Sequence, residues 1–346
     1  MRIVCKFGGS SLASYREFKK VKKILNKDKD RDVVVVSAMG KNHIYHKKVT
    51  DELIDLFETK DAKIFYRLKK RYSLLVKKTK ANIDLEYEFN LLERRLRDND
   101  YDKVVAFGEY LCAKIFASYL NFEFVDATKL IYLDSNKNLN ESKTKQAFER
   151  LVEKHNIVIP GFYGSTNGKD IVLLNRGGSD FSGAIACKYL GGECYENYSD
   201  VDGVYLCNPK IIKNKSHEKE ISLVKLQRLV ENGTQLLNLD CIKFLNQCKI
   251  VVKLKNTFAP YGRYTNVQKE QTHNNFVFSG FAYNDLSYFC VVCNKSIFKR
   301  YNDKYIFDIE YIEEDVFTFK SKKEDFKRVY RSLYRFLKKY KKKGLV

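Results

Sequence analysis

A lysine, two glycines and two serines stand together near the start of the chain. Residues 6–11 have the sequence KFGGSS, follow a strand-like run and precede a helical one. In this arrangement the backbone N–H groups at a helix N-terminus receive phosphate oxygens, and the lysine supplies positive charge for a phosphoryl group in transfer. The segment matches neither the P-loop nor the G-x-G-x-x-G pattern, so a tight turn without a ligand is the alternative.

A second turn combines a cation, two glycines, a hydroxyl and a carboxylate. Residues 175–183 have the sequence NRGGSDFSG and again lie between a strand-like and a helical run. Such a turn suits the binding of an anion by Arg176 and the positioning of a metal or a substrate group by Asp180. The alternative is an ordinary helix cap, with Ser179 or Asp180 as the N-cap residue. The two interpretations are compatible.

A third turn, residues 199–205 with the sequence SDVDGVY, also follows a strand-like run. Its D-x-D-G pattern resembles a calcium loop, but the glutamate expected later in such a loop is missing. A turn that contacts a nucleotide is the better functional interpretation. A plain Asx turn is the structural alternative.

The distribution of glycine and of apolar runs predicts the framework that positions these turns. Nine of the seventeen glycines fall between Gly161 and Gly203, where we expect the site, whereas residues 41–107 contain neither glycine nor proline and form a helical segment over 41–102. Strand-like runs alternate with helical ones, which predicts an α/β fold with a largely parallel sheet covered on both faces. The runs cover residues 2–7, 32–37, 103–107, 122–125, 156–160, 171–174, 193–198 and 249–255.

The pattern changes near Gly280. A strand at 281–293, a short helix at 295–301, a pair of strands within 305–319 and a basic helix at 323–340 predict a small α+β module. The polar residues 269–275 form a linker ahead of it. We therefore expect two domains, residues 1–268 and residues 276–346.

The composition excludes several classes of protein. Of 346 residues, 44% are hydrophobic and 14% aromatic, which is ample for a large core and excludes an intrinsically disordered chain. The apolar runs are far shorter than the roughly 20 residues of a membrane-spanning helix. The chain enters a strand-like run at its first residues, without a secretion signal ahead of it, so we expect a cytoplasmic protein with no membrane association.

Nearly half of the net charge of +21 lies at one end of the chain. Residues 320–346 hold twelve basic and two acidic residues, a composition that suits nucleic acid or an anionic membrane. Apolar residues recur along this tail at helical spacing, however, which predicts an amphipathic helix with solvated lysines. We favour the helix and do not expect a nucleic-acid partner. The apolar stripe consists of Phe326, Val329, Tyr330, Leu333 and Leu337.

Cysteine and histidine spacing does not predict a metal site. The nine cysteines of a chain without a secretion signal are expected to be reduced, buried, small apolar residues. Cys290 and Cys293 have the spacing of half a zinc site, but a strand would place their sulfurs on opposite faces and no second pair follows. His43 and His46 lie in a lysine-rich stretch that we expect to be a solvated loop.

Taken in order and spacing, seven blocks over roughly residues 1–267 resemble the aspartokinases of the amino-acid kinase family. The resemblance implies the amino-acid kinase fold and the transfer of the γ-phosphoryl group of ATP to the side-chain carboxylate of L-aspartate, for lysine, threonine and methionine synthesis. The blocks are KFGGSS (6–11), VVSAMGK (35–41) with VTD (49–51), FGE (107–109), PGF (160–162), RGGSD (176–180), SDVDGVY (199–205) and KNT (255–257).

The resemblance also implies residue roles. Lys6 and Asp180 would be catalytic, the first stabilising the transferring phosphoryl group and the second orienting the reacting groups. Glu109 would bind the α-ammonium of aspartate and Arg176 its α-carboxylate, and the implied cofactors are ATP and Mg²⁺. The aspartate pocket would comprise Ser37, Thr50, Glu109, Arg176, Gly178 and Ser179, and the ATP site Lys6, Gly8, Gly9, Ser10, Ser199, Asp200 and Tyr205.

The chemistry of the blocks agrees with these roles. A carboxylate with a pKa near ~4 is already ionised at neutral pH and needs no general base before it attacks phosphorus. None of the blocks contains a histidine. Phosphoryl transfer instead requires positioning and neutralisation of charge, which a lysine, backbone N–H groups and Mg²⁺ supply.

Departures from the family pattern leave two alternatives open. Asn208 stands where relatives usually have Asp before proline, and Gln235 stands where many have a lysine that reaches ATP. The start of the C-terminal module is similar to an ACT domain, of which there is length for one rather than the usual two, and a homodimer through the kinase domains is expected. The alternatives are a non-catalytic aspartate or nucleotide sensor and a nucleic-acid-associated protein.

Overall fold

The computed structural model describes residues 2–213, 216–269, 275–305, 307, 309–313 and 315–342. They form two compact units, one with the residues up to Val201 and Lys255–Pro260, the other with Asp202–Leu254 and the residues from Tyr261 onward. The helices are α1 (Tyr15–Leu25), α2 (Val49–Thr59), α3 (Ala62–Thr79), α4 (Leu85–Arg97), α5 (Tyr101–Leu120), α6 (Glu141–Glu149), α7 (Gly178–Tyr189), α8 (Leu223–Glu231), α9 (Leu239–Leu245), α10 (Lys295–Tyr305) and α11 (Phe326–Lys342).

The strands alternate with these helices in the first unit and cluster in the second. They are β1 (Ile3–Phe7), β2 (Val33–Val36), β3 (Glu123–Phe124), β4 (Ile157–Pro160), β5 (Tyr163–Ser165), β6 (Ile171–Leu173), β7 (Cys194–Ser199), β8 (Glu220–Ser222), β9 (Val251–Asn256), β10 (Thr265–Gln268), β11 (Val277–Tyr283), β12 (Leu286–Val292), β13 (Ile309–Glu313) and β14 (Val316–Lys322).

The first unit is built on a parallel sheet in the order β3-β4-β2-β1-β7. Strands β1 and β2 are buried along their whole length, because helices cover both faces of a parallel sheet. The register pairs Phe7 with Val36 on one side and with Tyr198 on the other, so the loops after these strands leave from one edge of the sheet. The predicted α/β class and parallel sheet are confirmed.

One predicted strand, residues 103–107, is wrong. Val104 to Phe107 lie in α5, whose N-cap residue Asp100 accepts a hydrogen bond from the Lys103 N–H at 3.0 Å. Helix α5 is buried nearly all round, and an apolar run without a polar face cannot be told from a buried strand by periodicity. Within the predicted helical segment 41–102, the helices begin at Val49, and residues 41–48 form a loop.

In the second unit, β9 and β10 pair antiparallel and β10 and β8 parallel. The C-terminal module contributes an antiparallel sheet in the order β11-β12-β14-β13. The single strand predicted over 281–293 is a hairpin, turning at Asn284 with φ +50°. Within the predicted strand pair 305–319, residues 306, 308 and 314 lie outside the described part, as does most of the predicted linker at 270–274.

The basic terminal segment is the amphipathic helix α11. Its Val329, Tyr330, Leu333 and Leu337 are buried in one cluster with the sheet residues Phe289 and Phe319, and Phe326 packs at the edge of that cluster. The outer face carries exposed lysines and arginines. This arrangement confirms the predicted apolar stripe within the residues that the structure describes.

The remaining sequence features concern burial. All nine cysteines are buried, as predicted, and burial raises the pKa of the Cys290 thiol to about 12. His43 and His46 lie in the exposed loop before α2. Among the described residues, no helix has the length and apolarity to cross a bilayer.

Candidate active site

Two loops at the carboxyl edge of the first unit's sheet are locked together through glycine backbone. The Gly40 N–H donates to the Gly9 carbonyl at 2.8 Å. A Cβ added to Gly40 would lie 2.5 Å from Gly9 backbone atoms, and one added to Gly9 would lie 2.9 Å from the Ala38 carbonyl oxygen. No other residue type fits this approach without moving a loop. The KFGGSS turn and the loop after β2 therefore form one rigid surface.

Lys6 lies in β1 and points its ammonium toward α7. Its Nζ is 2.6 Å from Oδ1 of Asp180, and both side chains are largely buried. A Cβ on Gly8 would lie 3.5 Å from the Lys6 Nζ, an ordinary van der Waals distance. The Gly8 N–H donates to the Tyr198 carbonyl at 3.0 Å and is therefore already used within the protein.

Two residues that the sequence analysis missed hold Asp180 in place. Asn197 donates from Nδ2 to Asp180 Oδ1 at 2.8 Å, and the Tyr195 hydroxyl donates to the Asp180 carbonyl at 3.0 Å. Both lie on β7, and Asn197 pairs directly with Lys6 in the sheet register. Strand alternation from Ser199 backward, through 197 and 195, is the sequence signal that points to them.

The N-terminus of α7 carries the second predicted turn. Gly177 has φ +86° and precedes the first helical residue, Gly178, while Ser179 and Asp180 are buried in the first turn. The expectation of Ser179 or Asp180 as the N-cap is therefore wrong, because Gly177 takes that position. A Cβ on Gly161, in the loop after β4, would lie 2.7 Å from Ser179 Cβ. The positive end of the helix dipole favours an anion beside this turn.

Glu109 is the most unusual ionisable group of the site. It lies on α5 and is 4% exposed, and the Ala38 N–H and the Thr50 hydroxyl act on its carboxylate as polar donors that lower its pKa. Its Oε2 is buried and has no hydrogen-bond partner among the described residues. Burial raises the pKa of Glu109 to about 8, against the opposing influence of those donors and of Lys6. A buried carboxylate with an unused oxygen is prepared to receive a cationic group.

Three other predicted substrate-binding residues, Ser37, Thr50 and Arg176, lie nearer the surface. Ser37 follows β2 and its N–H donates to the Phe7 carbonyl at 3.1 Å, and Thr50 lies in the first turn of α2. Arg176 is 90% exposed, with Nη2 3.8 Å from Asp51 Oδ1. The structure thus pairs Lys6 with Asp180, places Lys6 and Thr50 where both act on the pKa of Glu109, and leaves Arg176 exposed.

Hydroxyl contacts connect the predicted nucleotide turns within the first unit. The Ser11 and Thr257 hydroxyls are 2.6 Å apart and buried, and the Thr257 N–H donates to the Ser199 carbonyl at 2.9 Å. Ser10 lies between Gly9 and Ser11 in a short 3-10 turn. Ser199 ends β7 and its hydroxyl accepts from the Val201 N–H at 3.3 Å, which leaves Asp200 at the turn that follows. The sequence analysis includes Thr257 only in the KNT block and gives it no role of its own.

Three further residues singled out in the sequence lie in the second unit. The Tyr205 hydroxyl donates to Asp202 Oδ2 at 2.6 Å, and burial raises the pKa of Tyr205 to about 12. The Asn208 N–H donates to the Tyr330 hydroxyl at 3.0 Å. Gln235 is exposed in the loop before α9.

Comparison with known proteins assigns this fold and site to a family. A model of the amino acid kinase family matches residues 1–256. The chain is 30% identical over 318 residues to aspartokinase 3 of Bacillus subtilis, covering 86% of this chain and 70% of that protein. It is 27% identical over 288 residues to the aspartokinase of Chlamydia trachomatis, covering 78% of this chain and 63% of that protein. The chain belongs to the amino acid kinase family and, within it, to the aspartokinases.

Solved structures agree on the fold. Aspartate kinase of Clostridium acetobutylicum superposes with a TM-score of 0.81 at 24% identity, covering 98% of this chain and 99% of that one. Escherichia coli aspartokinase III, in a complex with aspartate and ADP, superposes with a TM-score of 0.82 at 14% identity, covering 97% and 100%. The predicted resemblance to aspartokinases is confirmed.

Proposed function

We propose that this chain transfers the γ-phosphoryl group of ATP to the side-chain carboxylate of L-aspartate. The observation that carries the proposal is the pairing of two features in one unit: a Lys6–Asp180 ion pair of 2.6 Å beside the phosphate-binding turn, and the unpartnered Oε2 of buried Glu109. The first feature suits phosphoryl transfer, and the second suits the ammonium of an amino acid.

The proposed site binds both charged groups of aspartate and leaves the side-chain carboxylate to react. Glu109 binds the α-ammonium, and Arg176 leaves solvent to bind the α-carboxylate in a bidentate manner, with Ser37, Thr50, Gly178 and Ser179 lining the pocket. An oxygen of the side-chain carboxylate forms a bond to the γ-phosphorus, and the bond from that phosphorus to the β,γ-bridging oxygen breaks. ADP leaves with the electron pair, and an acyl phosphate, 4-phospho-L-aspartate, remains. The nucleophile is already ionised, so no proton has to move first.

Lys6 neutralises the charge that develops on the transferring phosphoryl group, and Asp180 with Asn197 holds its ammonium in place. Gly8, Gly9 and Ser10 form the surface on which the phosphates lie, and Ser199, Asp200 and Tyr205 are proposed to contact ATP. The described residues contain no group of three or more His, Cys, Asp or Glu side chains able to hold a metal ion. Mg²⁺ is usually held by substrate phosphates together with one or two carboxylates, and Asp180 would supply one such carboxylate. The ion would neutralise charge on the phosphates of ATP.

Several finer proposals rest on the family resemblance. We infer that residues 1–268 form the catalytic domain and residues 276–346 a single ACT-like module, that the protein works as a homodimer in the cytoplasm, and that its product serves lysine and threonine synthesis. The antiparallel sheet and terminal helix of the C-terminal module support its assignment as ACT-like.

A coupled assay of ADP release with L-aspartate, ATP and Mg²⁺ tests the proposed reaction, and trapping the acyl phosphate with hydroxylamine identifies the product. We expect turnover that Lys6→Ala lowers by about 10³-fold, a loss of the order seen when a group that stabilises transition-state charge is removed. Lys145→Ala, which removes an exposed lysine on α6, is the matched control and should leave turnover unchanged. Aspartate binding without turnover by the intact protein would instead point to a sensor.

A further inference from the structure

Arg71, on α3, is an arginine that no site motif includes. It is 2% exposed and is among the largest fully buried side chains of the protein. A buried cation is costly unless its donors are used, so its partners indicate why it is there. The partners are backbone carbonyls of the loops around the proposed aspartate and phosphate sites.

The guanidinium of Arg71 reaches three separate loop ends. It donates to the carbonyls of Gly40, of Lys47 at 3.3 Å and of Ala13 at 3.4 Å. Its central carbon lies 4.7 Å from the centre of the Tyr45 ring, and its Nη1 lies 3.7 Å from Glu52 Oε2. We call residues 6–11, the KFGGSS turn, the phosphate turn. One planar group thus contacts Ala13, just after the phosphate turn, and both ends of the loop at 40–48.

The residues at the two ends of this loop are hydrogen-bonded to segments that form the proposed site. The Gly40 N–H donates to Gly9 in the phosphate turn at 2.8 Å, and the Val49 N–H donates to the Met39 carbonyl at 3.0 Å. Val49 precedes Thr50, whose hydroxyl is one of the polar groups that act on the pKa of Glu109. The loop is therefore hydrogen-bonded directly to the phosphate turn and to the start of α2, which carries Thr50.

We propose that Arg71 is a positioning residue that fixes the loop at 40–48 and so aligns the aspartate pocket with the phosphate turn. The inference rests on the proposed function for its kinetic consequence and on the contacts alone for its structural one. Lysine cannot replace it, because a compact ammonium does not reproduce the planar fork whose Nη1 bonds to Lys47 while its Nη2 bonds to Gly40 and Ala13.

The chain offers a matched control for this residue. Arg67 lies one turn earlier on α3, pairs with the same Glu52, and is 45% exposed. It shares the ion pair with Glu52 but, in the described part of the chain, has no bond to the loop carbonyls. A role for Arg71 that came only from pairing with Glu52 would be shared by Arg67.

The test compares Arg71→Ala, Arg71→Lys and Arg67→Ala. We expect kcat/KM for aspartate to fall at least 100-fold in Arg71→Ala and at least 10-fold in Arg71→Lys, and to change less than threefold in Arg67→Ala. Added guanidinium should restore at least tenfold of the loss in Arg71→Ala, because it can occupy the vacated space. Hydrogen exchange at the Gly40 and Val49 amides should accelerate in both Arg71 variants and not in Arg67→Ala.

Wild-type kinetics in a folded Arg71→Lys protein, or unchanged exchange at both amides, would overturn the proposal, even if Arg71→Ala failed to fold. Loss of activity with neither rescue nor faster exchange would reduce Arg71 to a general stabiliser and would also overturn it. Absence of aspartate kinase turnover in the unmodified protein would refute the proposed function, while the exchange measurement would still decide whether Arg71 holds the loop.

Discussion

The first unit buries two glutamates in opposite circumstances. Glu196, on β7, is 2% exposed and receives Arg31 Nε at 2.8 Å, Lys255 Nζ at 2.9 Å and the Tyr198 hydroxyl at 2.9 Å. Glu109 is buried to a similar degree, but one of its oxygens has no partner among the described residues. Burial acts to raise the pKa of both carboxyls, but the net shifts have opposite signs. At Glu196 the hydrogen bond and charge of Arg31 and those of Lys255 outweigh burial and lower its pKa, whereas at Glu109 burial prevails.

The contrast separates a structural carboxylate from a functional one. Two cations, a hydroxyl and the Cys5 thiol, whose Sγ lies 3.7 Å from Oε2, surround the Glu196 carboxylate, so there is little left for a ligand to offer it. Burial of the Glu109 carboxylate with an unpartnered oxygen costs free energy, and a bound ammonium would lower that cost. Burial alone does not distinguish the two; the count of partners does.

The largest effect is expected from Glu109→Gln, which keeps the shape and removes the charge. We expect kcat/KM for aspartate to fall about 10³-fold, or about 4 kcal/mol, because a neutral amide replaces a buried charge-assisted contact. The thermal midpoint should stay the same or rise, because a poorly paired carboxylate is gone. Steady-state kinetics and calorimetry measure the two. A lower midpoint with unchanged kinetics would reverse the roles assigned to the two glutamates.

Glu196→Gln should give the opposite result. It leaves Arg31 and Lys255 buried with a neutral partner, so we expect a loss of about 3 kcal/mol in stability, as for other broken buried ion pairs. The KM for aspartate should change little, since Glu196 and Lys6 occupy alternate positions in the register and face opposite sides of the sheet. A drop in thermal midpoint at constant KM is the expected outcome. A raised KM at constant midpoint would contradict it.

The sequence could predict the sheet and the turns but not the side-chain contacts that distant segments make with them. Apolar runs such as β2 and glycine-rich turns are local signals, and both were predicted correctly. The same criterion failed at Val104 to Phe107, where a helix buried all round has no polar face to reveal its period. Asn197 and Arg71 act through contacts with segments far along the chain, and no local pattern records such a contact. Only the register between β1 and β7 brings Asn197 to Lys6.

The two glutamates also differ in the pH dependence that each should give to stability and to substrate binding. The pKa of Glu109, raised from 4.5 to about 8, means that the folded protein binds a proton there between these values while the unfolded chain does not. Stability contributed at this group therefore falls as pH rises from about 4.5 to 8, and Glu109→Gln should remove that slope. The KM for aspartate should fall as pH rises toward 8, since the ionised form binds ammonium. A KM independent of pH from 6 to 8.5 would contradict this assignment.

At Glu196 we expect the opposite pH dependence of stability. Its lowered pKa means that its stabilisation is present above the ordinary glutamate value and is lost as pH falls through the folded-state value. Acid unfolding of the Glu196→Gln variant should therefore depend less on pH below about 4.5 than that of the unmodified protein. Parallel acid unfolding curves would show that Arg31 and Lys255 do not stabilise the ionised form.

The smallest expected effect comes from Tyr198→Phe, which removes one hydrogen-bond partner of Glu196 and keeps the ring stacked on Phe7 at 4.7 Å. We expect a loss of about 1 kcal/mol, since Arg31 and Lys255 continue to satisfy the carboxylate. Turnover should be unchanged, because the Gly8 N–H bonds to the Tyr198 backbone carbonyl rather than to its side chain. If instead this variant impaired turnover as Glu109→Gln does, the network around Glu196 would have to reach the phosphate turn, and the separation between the two carboxylates would fail.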